Sequence, residues 1–266
     1  MRHSNLHTHT VFSDGKNTPR EMAERAEELG FASLGFSEHS ETDFYPGDCM
    51  NHSLYPIYRQ TVDALKEEWE GVMDLYCGIE KDLYSEIAPE DFDYVIGSVH
   101  YLQTPDGFSP IDYSLKRQME YVEHYGKGDP LEYAKRYYES VVHHTERCPY
   151  TIQGHFDLVN KFGLFDGAGE AYQRVALEAM DAVLERIPFI EVNTGAIARG
   201  YRTEPYPEDF LLAHLKKRGA RLVINGDSHR LEHLRFHFDE TVEKLKKYGF
   251  SSVWQLRDNA FCQVEL

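Results

Sequence analysis

The chain has 266 residues, 28 Lys and Arg against 45 Asp and Glu, a net charge of −17, and 14 histidines. Hydrophobic residues at 41% and aromatics at 13% describe a folded chain with a sizeable core and exclude a disordered one. So acidic a chain has no footprint for long nucleic acid or an anionic membrane, residues Met1 to His7 hold no apolar signal core, and no apolar run nears the roughly 18 residues of a spanning helix.

Residues 4–7 open the chain as a short strand. Thr18-Pro19-Arg20-Glu21 then reads as a helix start, with an N-cap, a proline in the first turn and a capping-box acid. Ala23, Ala26 and Leu29 share one face of that helix, and Gly30 ends it. A strand over 33–37 leads through a polar loop at 47–51 to a helix over 54–70. Strands over 73–79 and 93–99 precede a polar insertion at 104–112 and a helix over 130–146. A strand over 151–154, a helix over 167–185 and a strand over 188–192 follow. The chain continues with a helix over 207–218 closed by Gly219, a strand over 221–225, and a helix over 233–247 closed by Gly249. Strands that alternate with helices predict βα units around a parallel sheet. With seven such strands, the expectation is an imperfect barrel, and no linker divides residues 1–266, which read as one domain. The four cysteines are far apart and form no C-x-x-C pair, so disulfides and a cysteine zinc site are not expected and the cytosol is the expected compartment.

The chemistry gathers at strand ends. Leu6-His7-Thr8-His9 places two imidazoles on one face of an extended segment, with Asp14 beyond the next turn. Later strands end in Glu38-His39, in Glu80, in His100, in His155-Phe156-Asp157, in Glu191-Val192-Asn193 and in Asp227-Ser228-His229. In a barrel these ends meet at the C-terminal face, where barrel active sites sit. His7, His9, His39, His100, His155 and His229 with Asp14, Glu80 and Asp227 exceed what one ion needs. Two or three metals are therefore expected, with Glu80 and Asp227 as candidate bridges and with Asp14, Glu80 and Asp227 as the carboxylates of the chemistry. A donor set without thiolate suits Zn, Mn or Fe. The plain alternatives are surface imidazoles at His7 and His9, a simple turn at Asp14, a turn at Asn193, and an N-cap of the last helix at Asp227. His3, His52, His124, His143, His144, His214, His233 and His237 fit no strand end and read mostly as surface or helix residues.

Two metals about 3.5–4 Å apart form a clamp for cleaving phosphoesters and lower the pKa of bound water. No G-x-S-x-G nucleophile, cysteine phosphatase loop or nucleotide P-loop competes with that reading. A phosphate also needs cations, and Arg199, Lys161 and Arg230 follow strand ends. The candidate acids for a leaving alkoxide are Asp14, Asp157 and a metal-bound water.

The segments His7-Thr8-His9-Thr10, Ser13-Asp14-Gly15, Glu38-His39, Gly78-Ile79-Glu80, Ser98-Val99-His100, Gly154-His155-Phe156-Asp157 and Asp227-Ser228-His229 resemble, in order, the motifs of the polymerase-and-histidinol-phosphatase (PHP) family. The resemblance implies a distorted (β/α)7 TIM-like barrel with a trinuclear metal site. By it, one metal takes His7, His9, Glu80 and Asp227, a second shares Glu80 and adds His100 and His155, and a third takes Asp14, His39 and His229. Some members carry histidine at the place of Asp14. Phe12-Ser13-Asp14-Gly15 and Asn193-Thr194-Gly195 with Arg199 look most like the histidinol-phosphate phosphatase branch. That likeness implies hydrolysis of L-histidinol phosphate, a small phosphorylated metabolite, in histidine biosynthesis. Glu41, Asp43 and the 104–112 insertion are candidates for holding the imidazole and amino groups. The competing readings are a PHP phosphoesterase for nucleotides or another small phosphomonoester, an amidohydrolase-like barrel, and a non-catalytic metal-binding protein. Oligomeric state is not legible.

Overall fold

The computed structural model describes residues 2–45 and 47–266; Met1, part of the segment read for a signal core, and Pro46 lie outside them. In chain order the elements are β1 (Ser4–Asn5), α1 (Pro19–Glu28), β2 (Ser33–His39), α2 (Tyr55–Glu68), β3 (Asp74–Asp82) and β4 (Tyr94–Ser98). Next come the hairpin strands β5 (Tyr101–Thr104) and β6 (Gly107–Pro110), then α3 (Leu115–His124), α4 (Pro130–Arg147), β7 (Ile152–Gln153) and α5 (Glu170–Leu184). The chain closes with β8 (Phe189–Asn193), α6 (Gly195–Ala198), α7 (Asp209–Arg218), β9 (Leu222–Asn225), α8 (Phe238–Lys247), β10 (Ser252–Arg257) and β11 (Ala260–Glu265).

Seven strands pair in parallel in the order β1-β2-β3-β4-β7-β8-β9. They form a nearly closed, distorted TIM-like barrel. Among the described residues no continuous ladder joins β1 to β9. The seam is closed by one isolated bridge, Thr8 to Ser228, in which the His9 amide donates to the Ser228 carbonyl (2.9 Å) and the Ser228 amide to the His7 carbonyl (3.0 Å). Side chains complete it: Asn225 Oδ1 accepts the Leu6 amide at 2.8 Å, and Asn5 Oδ1 accepts the Gly226 amide at 3.0 Å. A further distortion lies between β3 and β4, which are linked by a short 3-10 turn at Pro89–Asp91 rather than an α-helix.

Most helices begin and end where the sequence predicts. Thr18 caps α1 in a full capping box, and Gly30, at φ +72°, turns the chain out of it. Met22, Ala23 and Ala26 are its buried face. The last long helix starts at Phe238 rather than 233, because residues 231–233 form a 3-10 turn and His237 stands in a left-handed conformation. The insertion at 104–112 is largely a hairpin, and α3 lies in a stretch where no helix was expected.

Two apolar layers hold the barrel. Helices pack on its outside over Leu34, Phe36, Val95, Ile190, Val192, Leu222 and Ile224. Its floor is filled by Leu6, Tyr76, Tyr94, Ile96, Ile152, Phe189 and Val223, and the β10–β11 hairpin packs against them through Leu256, Trp254 and Phe261. The alternation Val95 out, Ile96 in follows the two-residue period of a strand. Tyr94 is a buried aromatic piece of this floor, and its hydroxyl lies within hydrogen-bond reach of the carbonyls of Leu6 and Phe36. A Cβ at Gly35 or Gly78 would overlap its ring, so both strands need glycine there.

Candidate metal centre

The same period of two builds the site. Inward positions on β3 run Tyr76, Gly78, Glu80; on β4 Tyr94, Ile96, Ser98; and on β8 Phe189, Glu191, Asn193. Apolar floor therefore gives way to polar groups at the C-terminal strand ends. His39 ends β2, while His100 and His155 stand two residues past β4 and β7. Asp227 stands two residues past β9 in a left-handed conformation, φ +46°, which an aspartate tolerates better than most residues. A Cβ at Gly195 would collide with its side chain. Asp227 is thus held by the turn itself and does not cap the last helix, whose N-cap is His237.

Glu80 is the centre. Its Oε1 lies 2.9 Å from His155 Nε2 and 3.4 Å from His100 Nε2. Its Oε2 lies 2.9 Å from His39 Nδ1, 3.2 Å from His7 Nε2 and 3.5 Å from His9 Nε2. Asp227 Oδ1 stands 3.4 Å from His9 Nε2, 3.5 Å from His229 Nδ1 and 3.8 Å from His7 Nε2. Asp14 lies 3.1 Å from His229 Nε2 and 3.7 Å from His39 Nε2. Every side chain expected as a ligand therefore stands in one cluster. Four overlapping sets within it, His7-Glu80-His155, His7-His9-Asp227, His39-Glu80-His100 and His9-Asp14-His39-His229, keep their ligand atoms within 4.8 Å of one another.

The donor chemistry fits metal ions. His7 Nε2, both ring nitrogens of His9, Glu80 Oε2 and Asp14 Oδ1 are buried with no hydrogen-bond partner. Such orphans are costly unless a ligand satisfies them. The electrostatics agree. Burial opposes charge on His39, yet Glu80 and Asp14 hold its pKa up at about 9. Burial likewise opposes charge on His7, while Glu191, Glu80 and Asp227 hold its pKa well above the ordinary histidine value. Burial and the neighbouring His39 and His229 push His9 down to about 3. Against burial, His7, His39 and His100 hold the Glu80 carboxyl well below its usual range, and Arg199 with His7 does so for Asp227. Without metal, protons supply the positive charge these carboxylates demand; a cation would replace them.

A cavity of about 430 Å³ opens over the cluster, and Arg199, Lys161 and Arg230 all line it. Arg199 donates to Asp227 Oδ2 (2.7 Å) and to the Asp227 carbonyl (2.9 Å). Lys161 Nζ is held by the carbonyl and carboxylate of Asp112, at 3.0 and 3.2 Å. Arg230 stands exposed at the mouth.

Other expectations are corrected. Asp157 does not line this cavity; its Oδ2 accepts the Glu208 amide at 2.9 Å. Glu41 and Asp43 line a separate cavity of about 1060 Å³, where Glu41 accepts from Asn51 and the His52 amide. Of the 104–112 insertion, Asp112 reaches the site cavity. Asn193 is a structural link, accepting the Gly195 amide at 2.8 Å. His3 is buried rather than superficial, and His144 lies on a helix as expected, on its buried face. Three acids beside the cluster were not singled out from sequence: Asp82, which accepts the His100 amide (2.9 Å), Asp112, and Glu191, which lies 2.6 Å from His7 Nδ1. An acid inside an otherwise apolar run, Phe189-Ile190-Glu191-Val192, was the available signal for Glu191.

Residues 5–195 match the family model described as the PHP domain. A protein of Deinococcus radiodurans named "Probable histidinol-phosphatase" is 29% identical over 263 residues, covering 94% of each chain. The histidinol-phosphatase of Bacillus subtilis is 27% identical, over 92% of this chain and all 100% of that one. Among solved structures, the histidinol phosphate phosphatase of Lactococcus lactis, in complex with zinc, L-histidinol and phosphate, superposes with a TM-score of 0.75. It covers 98% of this chain and 99% of its own at 22% identity, which establishes likeness of fold.

Proposed function

The chain belongs to the PHP domain family, and from that premise we propose that it is a metal-dependent phosphomonoesterase that hydrolyses L-histidinol phosphate to L-histidinol and phosphate. The observation that carries the reading is Glu80, whose two oxygens face two different sets of imidazoles. That is the disposition of a carboxylate shared between ions. The residues that would hold two to three ions are His7, His9, Glu80 and Asp227; Glu80, His100 and His155; and Asp14, His39 and His229. Zinc is the first choice among Zn, Mn and Fe, since the Lactococcus lactis protein binds it. Ions there would supply the Lewis acidity that activates water and neutralises phosphoryl oxygens.

The chain's own groups do the remaining work. Arg199 keeps one face against Asp227 and retains further N–H donors for the phosphoryl group. Lys161, fixed by Asp112, brings a second cation to the same cavity, and Arg230 a third at its rim. Of the two carboxylates considered for the leaving alkoxide, Asp14 lines the cavity over the cluster, whereas Asp157 lies outside it and faces the Glu208 amide. The Deinococcus radiodurans and Bacillus subtilis relatives both carry a histidinol-phosphatase name, which favours that substrate over other phosphomonoesters.

The test is phosphate release from a panel of small phosphomonoesters and nucleotides, histidinol phosphate included, on protein whose metals have been counted. Selective turnover of histidinol phosphate with two to three metals per chain is expected. Full metal loading without release from that compound overturns the substrate assignment.

A further inference from the structure

Glu191 stands at the inward face of β8, fully buried, one layer beneath the cluster. Both of its oxygens are saturated; three of the four partners are donors, and the fourth is a ring nitrogen of His7. Oε1 lies 2.6 Å from His7 Nδ1 and accepts Asn225 Nδ2 at 2.9 Å. Oε2 accepts the backbone amide of His155 at 2.7 Å and Asn193 Nδ2 at 2.9 Å. The two amides are themselves fixed: Asn225 Oδ1 accepts the Leu6 amide and Asn193 Oδ1 the Gly195 amide, both at 2.8 Å. Their NH2 groups therefore have to point at Glu191, and the carboxylate has no alternative partner to turn to.

We infer that Glu191 is a positioning residue for the metal centre: it keeps the proton of His7 on Nδ1, leaving Nε2 free for a metal, and it fixes the backbone from which His155 projects. The first half follows from acceptor chemistry. A carboxylate surrounded by donors is ionised and accepts only, so the ring nitrogen facing it has to carry the hydrogen. His7 Nε2, the other nitrogen, is one of the buried orphans aimed at Glu80 and Asp227. The second half follows from connectivity. His7 belongs to the start of the chain and His155 to the end of β7, yet one carboxylate bonds both. Carboxylates that hold a ligating imidazole in this way are worth about 10–100-fold in metal affinity or activity when removed. Glutamine cannot replace Glu191 without cost, because its NH2 would face a donor whichever way it is flipped.

This inference rests on the metal-centre part of the function proposed above, and its test reads the metal rather than turnover. The first measurement uses the unaltered zinc-loaded protein with 15N-labelled histidine. Long-range 1H–15N spectra report which nitrogen of each ring holds its proton, with His7 assigned by the signals lost in His7→Gln. His7 is expected to be protonated on Nδ1, with Nε2 bound to zinc. Protonation on Nε2, or zinc on Nδ1, overturns the inference without recourse to any Glu191 variant. The second measurement is chelator competition on Glu191→Gln, where zinc affinity is expected to fall about 10–100-fold. Undiminished affinity in a folded variant overturns the inference as well. A protein that shows the expected His7 tautomer but leaves histidinol phosphate intact would fail the substrate reading alone.

Discussion

His144 provides a quantitative test of the packing around the barrel. It lies on the buried face of α4 with Tyr133, Ala134, Tyr137, Tyr138 and Val141, its ring 4.8 Å from that of Tyr150. Neither ring nitrogen has a hydrogen-bond partner. Burial pushes its pKa down to about 4, an effect to which Lys81 and Arg147 add and which Asp82 opposes. In the unfolded chain a histidine titrates near 6.5. As pH falls below that value the unfolded chain takes up the proton first, so native stability is lost progressively until the folded pKa is passed. The difference of about 2.5 pKa units sets a ceiling of about 3 kcal/mol, of which about 2 kcal/mol is already lost at about pH 5. The variant is His144→Phe, which keeps an aromatic ring and removes the titration. Urea unfolding, followed by the fluorescence of Trp69 and Trp254, is measured for both proteins at about pH 7.5 and about pH 5. Acid effects common to both proteins, those of the metal centre included, cancel in the difference. The stability gap should move by about 2 kcal/mol in favour of the variant at the lower pH. A gap that moves by less than about 0.5 kcal/mol would mean that the folded protein accommodates the imidazolium, and would refute the reasoning.

Glu80→Gln should lower the metal content by at least about one ion per chain and phosphate release by more than about a hundredfold, measured by elemental analysis and phosphate assay on the same preparation. Full metal content would remove Glu80 from its bridging role. Arg199→Lys should lower kcat/KM for the phosphomonoester about 10–100-fold, the worth of one charge-assisted hydrogen bond at about 1.5–3 kcal/mol. Steady-state kinetics that stay within about threefold would place the phosphate elsewhere. Gly78→Ala should destabilise the protein by about 1–3 kcal/mol through overlap with the Tyr94 ring, read as a drop in Tm. Tyr94→Leu added to that variant should recover part of the loss, and no recovery would place the strain outside the barrel floor.

Much of this molecule was legible because its chemistry follows the strand period. Each apolar run that ended in His, Asp or Glu marked both a strand and a contributor to the site, and the barrel brings those ends together. The misses have physical causes. The β5–β6 hairpin ends at Pro110 and turns at Gly107, so its strands lack the β-branched signature of the barrel. The buried face of α3 includes Gln118, which donates to the carbonyls of Ile111 and Val159 and so blurs the apolar stripe. The burial of His144 was recoverable, since it follows Tyr137 and Val141 at helical spacing. Asp82 and Asp112 act through backbone and lysine contacts that no spacing rule encodes.

The seam between β1 and β9 has a consequence for how the protein is made. His7 and His9 leave the ribosome before the other donors and stand on one side of the gap, while Asp227 and His229 emerge more than two hundred residues later on the other. Until the chain has grown past those last two, the nascent barrel holds seven of its nine donors and its edge strands lie unjoined. Arrival of the final donors closes the ring and completes the cluster in the same event. An ion captured at that moment would act as a latch on synthesis, registering that the whole barrel is present.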